Sequence, residues 1–105
     1  MAAYTPDKHG PTGVTASYAD LIASDGSNTH VIRTFSIVNT SASTRTVYIT
    51  IGAGAAGTEI LEEVLPAHTT VVRNGWWVVP TSTAVQQKQD SGTDCTVTAS
   101  GYHYA

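Results

Sequence analysis

The chain has 105 residues, enough for one domain with one core, and a net charge of −3 with only 12% charged residues. Its five Lys and Arg are spread singly, so no basic patch offers phosphate-backbone binding and a nucleic-acid partner is not expected. The single cysteine excludes an internal disulfide, and no run approaches the roughly 18 apolar residues of a membrane-spanning helix.

The charged fraction is about half the roughly 25% of an ordinary soluble domain. Uncharged polar residues, above all Thr, fill the gap. A Thr-rich, charge-poor surface suits β-structure and suits surface that ends in an assembly, since interface cores are depleted in charge. The N-terminus MAAYTPDKHGP has no basic stretch followed by an apolar run, so no signal peptide is expected.

Residues 1–13 contain Pro6, Gly10, Pro11 and Gly13 and read as an extended N-terminal arm with Tyr4 as its large apolar anchor. Residues 14–105 read as one β-sandwich domain. Val14 to Ala23 is a first strand, and Ser24 to Asn28 is a turn. The best-specified stretch is Val31 to Ile51, which reads as two long strands joined into a hairpin by the polar turn Asn39 to Thr44. Val47, Ile49 and Ile51 alternate with Thr46, Tyr48 and Thr50, the period of a strand with one apolar face. The first half is mixed: Val31, Phe35 and Ile37 share a face with Arg33, while Ile32 and Val38 share the other with Thr34 and Ser36.

Gly52 to Gly57 is a flexible connection. Thr58 to Leu65 (TEILEEVL) fits a short helix or a bent strand. Pro66 and the Glu residues near its C-terminal end favour the strand. Thr69 to Arg73 is a strand, Asn74-Gly75 signals a two-residue hairpin turn, and Trp76 to Val79 continues beyond it. Thr83 to Gln89 is a polar strand expected at a sheet edge, and Cys95 to Tyr104 alternates again. The expected fold is all-β: a single antiparallel β-sandwich or jelly roll of about seven to eight short strands.

No constellation specifies a reaction, and no catalytic residue or cofactor is expected. Gly52, Gly54 and Gly57 spell G-x-G-x-x-G, but no adequate helix follows, and the acidic residue due roughly 20 residues on is missing. A small-residue hairpin loop explains the match. His9, His30, His68 and His103 show no metal-ligand spacing, so no metal site is expected. Cys95 reads as a buried structural thiol. Glu59, Glu62 and Glu63 read as the solvated side of one segment, and Asn39-Thr40-Ser41 reads as a turn rather than a glycosylation site.

The aromatic residues carry more. Trp76 and Trp77 are adjacent, so on a strand they point to opposite faces, and only one can enter the core. Tyr102 and Tyr104 share a face with His103 opposite. Packing within the chain is the first reading for each of these rings. Tyr4, Trp76, Trp77, Tyr102 and Tyr104 are the candidate interface residues, with a subunit, and after it a sugar ring, as cover for those left outside.

The order Val31-Ile-Arg33, Ile37-Val-Asn39-Thr-Ser41, the Thr/Val strand, Leu65-Pro-Ala-His-Thr-Thr and Val97-Thr-Ala-Ser-Gly101-Tyr102 resembles small β-sandwich structural proteins of tailed bacteriophage virions. The chain departs from that pattern at His68, where Gly is frequent, and at Trp76-Trp77. The resemblance implies a non-enzymatic virion protein assembled in the bacterial cytoplasm, acting as a homo-oligomer with capsid, neck or tail proteins as partners. A capsid decoration or cement role comes first. A neck or tail component, or a carbohydrate-binding receptor-recognition module, is the alternative.

Overall fold

The computed structural model describes the backbone of residues 4–105 and all their side chains but that of Ala55. Eight strands follow in order: β1 (Thr5–Gly13), β2 (Ala19–Ile22), β3 (Thr29–Asn39), β4 (Arg45–Ile51), β5 (Thr58–Leu65), β6 (Thr69–Val79), β7 (Val85–Gln89) and β8 (Cys95–Tyr104). They form two four-stranded antiparallel sheets, ordered β1-β8-β3-β6 and β2-β7-β4-β5. Every pair of consecutive strands except β4 and β5 thus lies in different sheets, in the two interleaved Greek keys of the jelly roll. The all-β expectation holds in this sharper form.

The inner faces meet in one core. Phe35 and Ile37 of β3, Val97 and Ala99 of β8, Val47 and Ile49 of β4, Leu65 of β5 and Val85 of β7 are all fully buried. Each large aliphatic or aromatic side chain there stabilises the fold by about 1.5–3 kcal/mol relative to exposure. Residues 5–13 of the segment read as an extended arm are β1, paired along β8 with a register shift between His9 and Thr12.

Val31 to Ile51 is not a hairpin. β3 and β4 lie in different sheets, because both edges of β3 are taken by β8 and β6. The polar linker crosses from one sheet to the other instead. Asn39, 1% exposed, ties that crossing: its Nδ2 donates to the carbonyls of Ser43, Leu65 and Pro66, and its Oδ1 accepts from the Ser41 amide. The true hairpin is β4–β5, closed by the glycine run through a single 3-10 turn at Gly54–Ala56. Thr58–Leu65 is a strand, bent where Ile60 is the extra residue between the Ile49–Leu61 and Thr50–Glu59 pairs.

The Asn74-Gly75 turn is also corrected. β6 runs unbroken from Thr69 to Val79, and neither residue has the positive φ that the turn requires. The pair sits at a β-bulge. Between the Ile32–Trp77 and Thr34–Asn74 pairs, Gly75 and Trp76 oppose Arg33 alone. On its other side Arg33 is itself extra, since Ile32 and Thr34 pair with the adjacent residues Gly101 and Ser100. A bulge shifts the alternation by one residue. His30 and Ile32 therefore face inward with Phe35 and Ile37, which explains the mixed pattern of this strand. Gly101 is required here, because a Cβ would collide with the Val31 carbonyl oxygen.

β7 is not an edge strand; it pairs with β2 and β4. Its inward polar residues Gln87 and Gln89 are buried. Gln89 reaches the Asp94 carboxylate with Nε2 at 2.9 Å and accepts the Cys95 amide on Oε1 at 3.1 Å. Nor do the three Glu form one solvated side. Glu63 of β5 accepts two hydrogen bonds from Arg73 of β6, at 2.9 and 2.8 Å, closing the gap between the two sheets.

Candidate functional site

Four of the five expected interface residues gather on the outer face of the β1-β8-β3-β6 sheet. Cross-strand pairing places Pro6 and Val31 on either side of Tyr102, and Thr29 beside Tyr104. The Tyr4 ring stands edge-on to Tyr102 at 5.3 Å and to Tyr104 at 5.4 Å. Trp76 stands edge-on to Tyr102 at 6.3 Å, with the Arg33 guanidinium 4.5 Å above its indole. Tyr4 and Trp76 are 65% and 61% exposed, and Val72 and Val78 of β6 extend the apolar surface. Tyr4, Pro6, Gly101 and Tyr102 line an open recess of about 380 Å³. Trp77 points the other way and packs on Phe35, ring centroids 5.0 Å apart, against the core.

A second cluster lies at the inner side of the same sheet, where sequence spacing gives no hint of one. Three of the four histidines converge on one carboxylate oxygen. Asp7 Oδ2 lies 2.6 Å from His30 Nδ1, 2.9 Å from His9 Nε2 and 3.4 Å from His103 Nδ1. The strands explain the convergence: Asp7 and His9 share a face of β1, while His30 of β3 and His103 of β8 are direct cross-strand partners. His30 donates or accepts at both ring nitrogens, its Nε2 lying 3.0 Å from Asp25 Oδ2. Asp25 is held in turn by Asn28 and the Ser27 amide, and these bonds keep its carboxyl well below the usual range. At Asp7 burial opposes ionisation, but the imidazoles of His9 and His30 outweigh it and the pKa is lowered. His68 stands apart, exposed in the β5–β6 turn with φ of 52°, the left-handed conformation that favours glycine.

Two faces of one sheet thus carry the molecule's distinctive chemistry, an aromatic exterior and an imidazole–carboxylate cluster within. The class is set by the strand order: an eight-stranded jelly roll, the architecture of viral capsid domains, lectins and cupins. No protein-family model matches the sequence, and no characterised protein matches it in sequence. Among solved structures the chain is similar to one of the infectious bursal disease virus Gx strain, at 18% identity and TM-score 0.32, covering 99% of this chain and 30% of that one. It is also similar to one of T=1 particles derived from infectious bursal virus, at 12% identity and TM-score 0.35, covering 99% of this chain and 28% of that one. A structure of the Gt strain follows at 12% identity and TM-score 0.27, covering 99% and 30%. The chain spans less than a third of the length of these solved chains. They correct the resemblance to tailed-bacteriophage proteins, since the matching structures are of infectious bursal disease virus. The strand order, rather than these partial overlays, defines the fold.

Proposed function

We propose that the protein is a non-enzymatic structural component of a virus particle, whose copies associate with one another and with the particle through the outer face of the β1-β8-β3-β6 sheet. The observation that carries this reading is the cluster of Tyr4, Trp76, Tyr102 and Tyr104 on the outer strand surface. Large rigid aromatic side chains that lie outside a core are the residues that anchor interfaces. The jelly roll supports the reading as an architecture used in capsids, though a fold by itself does not fix function. Repetition in a symmetric particle lets modest contacts act at high effective concentration. A capsid-surface decoration or cement role is the finer form of the proposal.

Sedimentation velocity over a concentration series tests it. The wild-type chain is expected to self-associate, and Trp76→Ser and Tyr102→Ser are expected to return it to monomer with an unchanged far-ultraviolet circular dichroism spectrum. Monomer throughout, with no binding to assembled particles, counts against the proposal. The tyrosine-walled recess favours a second reading, a carbohydrate-binding module, because flat aromatic walls suit sugar rings. Saturable quenching of Trp fluorescence by a glycan would support that reading instead.

A further inference from the structure

We propose that Asp7, His30 and His103, completed by His9, form a binding site for a divalent transition-metal ion of the zinc type. This inference is independent of the role of the aromatic face. The donor set is three imidazole nitrogens and one carboxylate oxygen, which suits zinc and its neighbours rather than calcium or magnesium. The ligating atoms of Asp7, His30 and His103 already lie within 4.8 Å of one another. Ligands about 2.0–2.1 Å from a tetrahedral zinc are about 3.3 Å apart, so side-chain rotations of these three would close around an ion. His9, whose Nε2 lies 2.9 Å from the Asp7 oxygen but outside that mutual spacing, would swing in as the fourth ligand.

An ion-pair network accounts for His30, which has a partner at each nitrogen. It does not account for the others. His9 Nε2 and His103 Nδ1 are buried, approach the same Asp7 oxygen, and make no aligned hydrogen bond among the described residues. Unpartnered buried polar atoms are costly, and two of them converging on a carboxylate are satisfied together by one cation. Asp25 supplies the outer support. A carboxylate on the far nitrogen of a ligating imidazole fixes its tautomer. With the ion bound, Asp25 at 3.0 Å would hold the proton on His30 Nε2 and turn Nδ1, now against Asp7, to the metal. The carboxylate–histidine–metal arrangement is a recurring feature of zinc sites. Side-chain exposures of 22% for His9 and 28% for His103 leave a path for the ion. Bound there, the ion would clamp edge strand β1 to β8 and β3.

The test uses the full chain, stripped with EDTA and desalted. Zinc chloride is titrated calorimetrically near neutral pH, and cobalt(II) uptake is followed by visible absorption. One equivalent is expected to bind saturably, with the intense cobalt bands of tetrahedral nitrogen and oxygen ligation. His103→Gln and Asp7→Asn are expected to weaken binding at least about tenfold, and Asp25→Asn by about 10–100-fold. His68→Gln, which lies outside the cluster, is expected to leave it unchanged. Absence of saturable uptake, undiminished uptake by a folded His103→Gln variant, or loss through His68→Gln overturns the proposal. Should the His103 variant not fold, the wild-type cobalt spectrum decides: tetrahedral bands support the site, and a weak octahedral spectrum refutes it.

Discussion

Arg33 of β3 donates from Nε to the Gly75 carbonyl of β6 at 2.9 Å, across the line where the sheet's register slips. The same guanidinium covers the exposed Trp76 ring. The bulge therefore ties the inner phase shift to the outer aromatic surface. Arg33→Ala is expected to cost about 1 kcal/mol, from one hydrogen bond and one cation–π contact at an exposed site. Urea denaturation measures the loss, and a changed Trp emission maximum would locate it at Trp76.

Gly75→Ala reports on the inner side of the same bulge. Its new Cβ would sit 2.7 Å from the Trp77 ring, which must then shift against Phe35. Overpacking of this kind is expected to destabilise by about 1–3 kcal/mol and to alter the near-ultraviolet circular dichroism of Trp77. Gly101→Ala is expected to be worse, because the obstacle is the Val31 backbone rather than a movable side chain. Equal stability of the two variants would contradict this account of the bulge.

Phe35 and Val72 separate core from surface. Phe35 is fully buried, whereas Val72 on β6 is 50% exposed. Phe35→Ala is expected to cost about 3–5 kcal/mol through lost transfer energy and a residual cavity. Val72→Ser is expected to stay within about 0.5 kcal/mol in the monomer. Chemical denaturation of the two variants side by side checks the contrast.

What could be read from the sequence divides along physical lines. Alternation is local, so Val47 and Ile49 declared their strand, and adjacency alone settled that Trp76 and Trp77 must part. Sheet membership is not local. Nothing in Asn39 to Thr44 distinguishes a hairpin turn from a crossing between sheets, because the buried bonds of Asn39 run to Leu65 and Pro66. A bulge also hides itself, since its extra residue makes one inward row look like two mixed faces. The histidine–aspartate cluster was out of reach for the same reason. Asp7 and His30 are 23 residues apart, and only the β1-β8-β3 order brings them together.

Acid stability should depend on Asp94. Arg45 grips it through Nε at 3.0 Å and Nη2 at 3.2 Å, and Gln89 adds a third bond. The Arg45 and Gln89 hydrogen bonds hold its pKa down at about 2. A carboxyl lowered on folding gives stability that is complete above its unfolded value, near 4, and is lost as pH falls towards 2. Asp94→Asn should therefore be less stable than wild type at neutral pH and should show a shallower decline between about pH 4 and pH 2. Asp7 and Asp25 are lowered too, so the wild-type curve contains all three, and the difference between the two curves isolates Asp94. Parallel urea-midpoint profiles over that range would sink the assignment.

Cys95 makes the complementary prediction at high pH. It is fully buried opposite Asn39, its amide bonded to Gln89 Oε1 and its carbonyl to the Val14 amide. Burial pushes the thiol pKa up to about 11, and the adjacent Asp94 carboxylate adds to the shift. The thiolate is the reactive form, so access and ionisation both protect this residue. An acid whose pKa rises on folding contributes stability that is present below its unfolded value, near 8.5, and lost as pH climbs towards 11. A chromogenic disulfide reagent near pH 8 should therefore leave the native thiol untouched on a timescale of minutes, then titrate one equivalent in guanidinium. Because reaction requires opening of the β8 end of the core, its rate should rise with every variant that destabilises the fold, Phe35→Ala above all. Rapid labelling of the native wild-type protein would mean that the β3–β8 pairing at Asn39 and Cys95 opens far more readily than this packing allows.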